Sequence, residues 1–527
     1  MKTALSMCIC WLLCCAAVWA HTEFPEPYHA ASYGKRLTPP DMPTPSINGA
    51  VVYGIRPGDQ FVYRVPVSGE RPLRVEAEGL PAGVTLRDDG VITGSAERGE
   101  YHVQLRATNR HGHAEKVWIL LVGDELCLTP PMGWNSWYSY SEAVSQKHVL
   151  NAARHLVESG LANHGWSYVN IDDCWQGKRE KGVLQPNARF PDMQALCREI
   201  HALGLKAGIY STPWMGTYAG YTGGSAPDAQ GDYSALALPL EQRLCAEQIF
   251  GRYPGVHRRK ADCVGELWCF DRDAAQWAEW GFDYVKVDWN PNDVPTTKRI
   301  RHALDAAGRG MVLSLSNSAP IENAPALSRL ACLWRTTGDI EDTWASISRI
   351  GFSQEPWQQF MSPGHWNDPD MLQVGRLGKP NSDEARFAPT RLTADEQYTQ
   401  VTLWCILSAP LMISCDLEHI DSFTKGLLTN DEVLAVNQDP SAQAAHRLVC
   451  TDGSGEVWHK RLADGALAVA FFNTDKRRRV LRISLRELGV HTPCRVRDLW
   501  RRIDVGVVGE YMSVELDSHG AAFFRLH

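Results

Sequence analysis

Hydrophobic and polar positions change their period along the chain, and the changes divide it. Between about 45 and 123, the segments FVYRVPV, LRVEAEG, VTLRDDG, VITGSAE, YHVQLRATN and EKVWILLV alternate apolar and polar residues with period two, separated by turn residues. That pattern predicts a small antiparallel β-sandwich over 45–123. From 124 to 440 short apolar runs alternate with amphipathic helical stretches. The predicted strands are MGWNSW (132–137), YVNIDD (168–173), KAGIYS (206–211), YVKVDW (284–289), VLSLSN (312–317), LWRTTGD (333–339), HWNDPDM (365–371) and LMISCD (411–416). Parallel strands need crossover connections, so eight strands with intervening helices predict a (β/α)8 TIM barrel. The third connection, roughly 212–270, is long and carries Trp214, Tyr218, Tyr221, Tyr233 and Trp268. Loops of that length in a compact domain are usually functional. Over 441–527 the helical signal stops, and alternating segments with Gly and Asp turns predict a C-terminal antiparallel β domain. The Pro-rich stretch 21–44 reads as a linker or an extended strap. The whole is a multidomain chain.

Residues 4–18 form an apolar run behind Lys2, followed by Val18-Trp19-Ala20. This predicts a signal peptide over 1–20, cleaved after Ala20, and export to the periplasm or the extracellular space. The run is too short for a membrane span, and no later stretch reaches 18 apolar residues. The sequence holds no Asn-x-Ser/Thr site, which favours a bacterial source. A net charge of -8 argues against a nucleic-acid partner, which calls for a basic face. Of 15 cysteines four lie in the first 20 residues; the remaining odd number cannot all pair within one chain. Cys263 and Cys269, in a polar loop, are the candidates for a bridge. The 19 Trp residues suit either a buried core or a groove that stacks on sugar rings.

Barrel enzymes place reactive groups at the C-terminal ends of strands. Here those ends carry Asp172, Asp173, Asp288, Asp339, Asp370 and Asp416. One such Asp is commonly a helix cap. Several converging on one mouth repel one another and mark a site. Lys286 and Asp288 share a strand face, so the lysine is expected to hold Asp288 ionised, as a carboxylate nucleophile requires. Arg335 and Asp339 flank the turn after the sixth strand. Glu341 and Asp342 are expected to keep Asp339 protonated, as a general acid requires. One ionised and one protonated carboxyl across a sugar-sized pocket is the arrangement of glycoside hydrolysis.

The motifs TPPMGWNSW, YVNIDDCW, GIYS, YVKVDW, WRTTGDIEDTW, WNDPDML, APLMISCDL and AVNQDP, in that order, make residues 128–527 resemble glycoside hydrolase family 27, the retaining α-galactosidases and α-N-acetylgalactosaminidases. The resemblance implies Asp288 as nucleophile and Asp339 as acid/base. It implies Asp172 and Asp173 at the sugar's 4- and 6-hydroxyls, Lys286 at the 3- and 4-hydroxyls, Arg335 near the 2-position, Asp370 as a further subsite residue and Trp134 as the aromatic floor. It implies double displacement with carboxyls about 5–5.5 Å apart, a galactose-containing glycan as partner, and no cofactor or metal. The segment GLPAGVTLRDDGVITGSAERGEYHVQLRATN resembles the immunoglobulin-like domains beside bacterial glycosidases.

The sequence also departs from the family. Asn290 stands where members often carry a disulfide-forming Cys, and Cys174 lacks its usual upstream partner, so both family disulfides are expected to be absent. On strand five, SLSNSAP puts Ser316 where the galactosidases carry a Glu that binds the 2-hydroxyl, and Ala319 three further on. Members that accept a 2-acetamido group look similar. The alternative is a 2-hydroxyl bound by Asn317 or Ser318. Having both Asp172 and Asp173 suits a sugar with a 6-hydroxymethyl group better than an L-arabinopyranose.

Overall fold

The computed structural model describes residues 23–226, 262–378, 386–449, 453 and 455–527. The N-terminal apolar run and Tyr233 lie outside them. Eight parallel strands form the central sheet: β1 (Met132–Asn135), β2 (Tyr168–Asn170), β3 (Lys206–Ser211), β4 (Tyr284–Asp288), β5 (Val312–Ser316), β6 (Leu333–Arg335), β7 (Trp366–Asp368) and β8 (Leu411–Ile413). Their order is β7-β6-β5-β4-β3-β2-β1-β8, and a parallel bridge from Leu372, just past β7, to Ile413 on β8 links the two edges of the curl. This is the parallel barrel that the periodicity predicts. Strands such as β3 and β5 are buried at every position because side chains fill the inside and helices cover the outside. The covering helices include α1 (Gln146–Glu158), α2 (Met193–Ala202), α3 (Phe270–Trp280), α4 (Val294–Ala306), α5 (Trp344–Gly351) and α6 (Ala394–Ile406). Asp192 and Asp293 cap α2 and α4, and Thr393 with Glu396 forms a capping box on α6.

Before the barrel, a four-stranded sheet (Val52–Ile55, Gly112–Val122, Gly99–Asn109, Arg74–Glu78) faces a three-stranded one (Phe61–Arg64, Val91–Gly94, Val84–Leu86). Trp118, stacked on Tyr63 at 4.6 Å, centres its core. One edge departs from the antiparallel expectation, since Val52–Ile55 pairs in parallel with Ile119–Val122. This module sits against the N-terminal ends of the barrel strands. Asp59 accepts from the Gly310 backbone N at 2.6 Å, Arg56 pairs with Asp305 at 2.6 Å, and the Lys206 ammonium lies 4.7 Å from the Tyr53 ring centre. It therefore caps the end opposite the carboxylate-bearing loops.

After the barrel, a six-stranded sheet and a sheet containing Arg479–Ser484 and Tyr511–Leu516 enclose a second core. The segment before residue 45 is a strap. Tyr28–His29 pairs in parallel with Val514–Glu515, and the Tyr28 hydroxyl donates to Asp498 at 2.7 Å. Further along, Asp41 and Asp431 grip buried His164, at 3.3 Å from Nε2 and 2.8 Å from Nδ1. These three are the one group among the described residues with metal-ligand spacing. Both ring nitrogens already face carboxylates, and Arg502 lies 3.6 Å from Asp431, so the group is an ionic clasp between strap and barrel. Cys269 is a free thiol directed at the Leu267 carbonyl, so the expected Cys263–Cys269 bridge is not formed. Cys174 is free and buried.

Candidate active site

Strand alternation decides which side chains enter the barrel. On β4, Val285 and Val287 face the helices while Lys286 and Asp288 face inward. The Lys286 ammonium lies 2.8 Å from Asp172 Oδ2 and 4.0 Å from Asp288 Oδ2. Burial works against its charge, but Asp172 and Asp288 outweigh that and hold its pKa above the ordinary lysine value. Asp172 also accepts from Asn135 Nδ2 at 2.8 Å.

Asp288 is buried. Its Oδ2 accepts from the Tyr210 hydroxyl at 3.2 Å, and its Oδ1 has no protein partner. Burial pushes its pKa up to about 6; Lys286 opposes the rise, and the charges of Asp339 and Asp172 add to it. At about 6 Asp288 is still mainly ionised at neutral pH, with Lys286 lowering a value that burial raises. The ammonium's short contact goes to Asp172, and desolvation of Asp288 outweighs what reaches it.

Arg335 is buried at the end of β6, 2.8 Å from Asp370 Oδ2 and 3.2 Å from Asp339 Oδ1. Asp339 itself is exposed, at 66% of its side-chain surface. Arg391, about fifty residues on, pairs with both acidic residues that follow Asp339 in sequence, Asp342 at 2.5 Å and Glu341 at 3.7 Å. Asp370 adopts a left-handed backbone (φ 82°), and its two oxygens accept from the Ile340 and Met371 backbone N at 2.8 Å each. It holds the loop that bears Asp339. Burial pushes its pKa up to about 6, against the pull of Arg335.

Asp173 is engaged in the same way. Its oxygens accept from Cys174 N at 2.7 Å and from Ala219 N at 3.0 Å, which ties the long third connection to the site. Burial pushes its pKa up to about 7. Asp416, singled out in the sequence, is a turn cap that accepts from His419 N at 3.2 Å. On the third connection, Trp268 has Arg299 over one face at 4.0 Å and Phe270 stacked at 5.5 Å, so it offers no platform.

Trp134 is not the floor of the site. Asn135 points inward to Asp172, so its neighbour on β1 must point to the helix layer. There Trp134 is 1% exposed, with Nε1 donating to the Cys415 carbonyl at 3.3 Å. Trp137, beyond the strand and half-buried, packs against the cluster that includes Met371 and Met412 and keeps surface to offer. Tyr138 and Tyr210, which sequence reasoning missed, also belong to the site. The Tyr138 hydroxyl donates to Ile340 O at 2.8 Å, and burial together with the charges of Asp370 and Asp339 raises its pKa. Ser316 pairs in register with Asp288, and its buried Oγ has no protein partner. A small cavity lies among Asn135, Lys286, Ser314, Ser316, Arg335 and Asp370. The site residues predicted from sequence, apart from Trp134 and Asp416, thus belong to one connected cluster.

A family model described as Alpha galactosidase A matches residues 129–237 and 250–439, and one for the alpha galactosidase C-terminal beta sandwich domain matches 452–526. The alpha-galactosidase of Cyamopsis tetragonoloba is 30% identical over 447 residues, which cover 83% of this chain and 95% of the relative. The alpha-N-acetylgalactosaminidase of Gallus gallus is 30% identical over 376 residues, 66% of this chain and 80% of the relative. A crystal structure of a candidate alpha-galactosidase/melibiase from Bacteroides fragilis superposes with a TM-score of 0.78 at 29% identity, covering 92% of this chain and 98% of that one. The strand-end carboxylates, the parallel barrel that presents them and the match over more than half its length agree: the chain belongs to the alpha galactosidase A family, glycoside hydrolase family 27.

Proposed function

We propose that the chain is an exo-acting retaining glycosidase that releases terminal α-linked galactose by double displacement. Asp288 attacks the anomeric carbon through its free Oδ1 as Asp339 protonates the departing glycosidic oxygen, giving a glycosyl ester on Asp288. Asp339 then deprotonates a water that cleaves the ester and returns the sugar with its starting configuration. The observation that carries this reading is the state of Asp288: buried, held on one oxygen by Tyr210, open on the other, and facing a cationic lysine. Asp339, exposed and reached by a single Arg335 contact, is placed to exchange protons with leaving group and water. Asp172 and Lys286 form a pair suited to adjacent sugar hydroxyls, and Arg335 and Ser316 stand where the 2-substituent is read. No residue of the cluster calls for a metal.

Ser316 and Ala319, small and buried, favour one alternative, a pocket for a 2-acetamido group and α-N-acetylgalactosaminidase activity. Side-by-side turnover of p-nitrophenyl α-galactoside and p-nitrophenyl α-N-acetylgalactosaminide, with Asp288→Ala as control, decides. Faster turnover of the plain galactoside, abolished in the variant, supports the proposal. Preference for the acetamido sugar replaces it with the alternative, and full activity of Asp288→Ala refutes the mechanism.

Around the barrel we read residues 45–123 as an immunoglobulin-like spacer or docking module, because it caps the end remote from the carboxylates. Residues 1–20 are read as an export signal, making the mature enzyme periplasmic or extracellular. Among the described residues no helix is long and apolar enough to cross a membrane.

A further inference from the structure

We propose that Asn292, on the loop leaving β4, is a positioning residue that fixes the wall facing the sugar's 2-position and, through that wall, the placement of Asp288 relative to Asp339. The inference rests on the glycosidase reading above. Asn292 is completely buried, and its Nδ2 donates to three carbonyl oxygens: Trp289 at 3.0 Å, Ser316 at 3.0 Å and Asn317 at 2.8 Å. Turned over, the amide would press its own oxygen against three others, so only one orientation is possible. One side chain thus joins the loop after the nucleophile strand to the loop after β5.

The β5 loop passes the constraint on. Asn317 and Ser318 are consecutive left-handed residues (φ 83° and 49°), a conformation that persists only where the surroundings over-determine it. Ser318 N donates to Thr337 O at 3.1 Å and Ala319 N to Arg335 O at 2.9 Å. Arg335 in turn pairs with Asp339. The chain of contacts therefore runs from the exit of the Asp288 strand, through Asn292 and residues 316–319, to the loop that carries Asp339. Asn290 leaves the β4 exit without the covalent tie that the family resemblance associates with this position. The Asn292 amide supplies a non-covalent one.

Asn292 has φ 54°, so Asn292→Gly removes the side chain without straining the backbone. A displacement of about 1 Å at a reacting centre costs on the order of 100-fold in rate. In the full-length protein we expect kcat on p-nitrophenyl α-galactoside to fall about 10–100-fold, with KM little changed. The preference in kcat/KM for the 2-hydroxy substrate over its 2-deoxy analogue should also collapse toward unity. A merely structural role would lower the melting temperature and leave that preference intact. Asn292→Asp keeps a single donor when protonated, and its preference is expected to be intermediate. If the glycine variant does not fold, the aspartate variant's preference decides alone. A preference equal to that of the wild type in whichever variant folds overturns the inference. Wild-type turnover tests the glycosidase reading separately: a wild type inactive on α-galactosides sinks that reading, whatever the variants do.

Discussion

Tyr210→Phe isolates the electrostatics of Asp288 with the loss of one atom. The hydroxyl is buried and donates to Asp288 Oδ2 at 3.2 Å. A hydrogen bond to a charged acceptor is worth about 1.5–3 kcal/mol, and a length beyond the 2.7–2.8 Å typical of hydroxyl donors puts this one at the lower end. The bond favours the ionised form. Removing about 1.5 kcal/mol therefore makes Asp288 hold its proton about tenfold more tightly, since about 1.4 kcal/mol is a factor of ten. Asp288 stands at about 6 in the intact protein, so the acid limb of kcat/KM should move from about 6 to about 7. The assay is kcat/KM on p-nitrophenyl α-galactoside between pH 4.5 and 9, taken as the ratio of variant to wild type at each pH so that other ionisations cancel. The ratio should drop about tenfold between the alkaline and acid ends, matching the tighter hold on the proton. A ratio flat across pH, or a limb displaced downward, would refute the assignment of Asp288 as the ionised nucleophile supported by Tyr210.

Two further outcomes are expected. Trp137→Ala should raise KM for the galactoside several-fold, whereas Trp134→Phe should lower the melting temperature with KM nearly unchanged; equal KM effects would contradict the placement of the two rings. His164 is pulled both ways: burial lowers its pKa, but hydrogen bonds to Asp41 and Asp431 win and raise it to about 9, from an unfolded value near 6.5. Because the folded value is the higher, its stabilisation is full below about pH 6.5 and is lost as pH rises through about 9, amounting to about 3 kcal/mol. The stability difference between wild type and His164→Gln, measured by denaturant titration, should shrink between pH 6.5 and 10.

Much of the site is legible in the sequence because a parallel barrel converts linear position into place. A carboxylate just past a strand must lie at the C-terminal mouth, whichever helix follows, so Asp172, Asp288 and Asp339 are found without knowing any contact. What alternation could have settled, had β1 been traced to its end at Asn135, is the choice between Trp134 and Trp137. The two belong to one WNSW run, and the strand stops between them. Long-range partners leave no such trace. Arg391 neutralises Glu341 and Asp342 from across the site, Tyr210 reaches Asp288 from β3, and the strap at Tyr28–His29 pairs with a strand more than 480 residues away. Asn292 looks in sequence like an ordinary loop residue before a helix cap. Only the three carbonyls around its amide give it a role.

The double-displacement mechanism turns on a covalent bond to Asp288, and trapping it is the most direct test. A 2-deoxy-2-fluoro-α-galactosyl fluoride would lose its anomeric fluoride to the attacking carboxylate, while the 2-fluorine slows hydrolysis of the resulting ester. Peptide mapping of the labelled protein by mass spectrometry should place one fluorogalactosyl group on Asp288, with no label in Asp288→Ala. A label on another residue of the intact protein, or turnover that releases the sugar with inverted configuration, would contradict the mechanism.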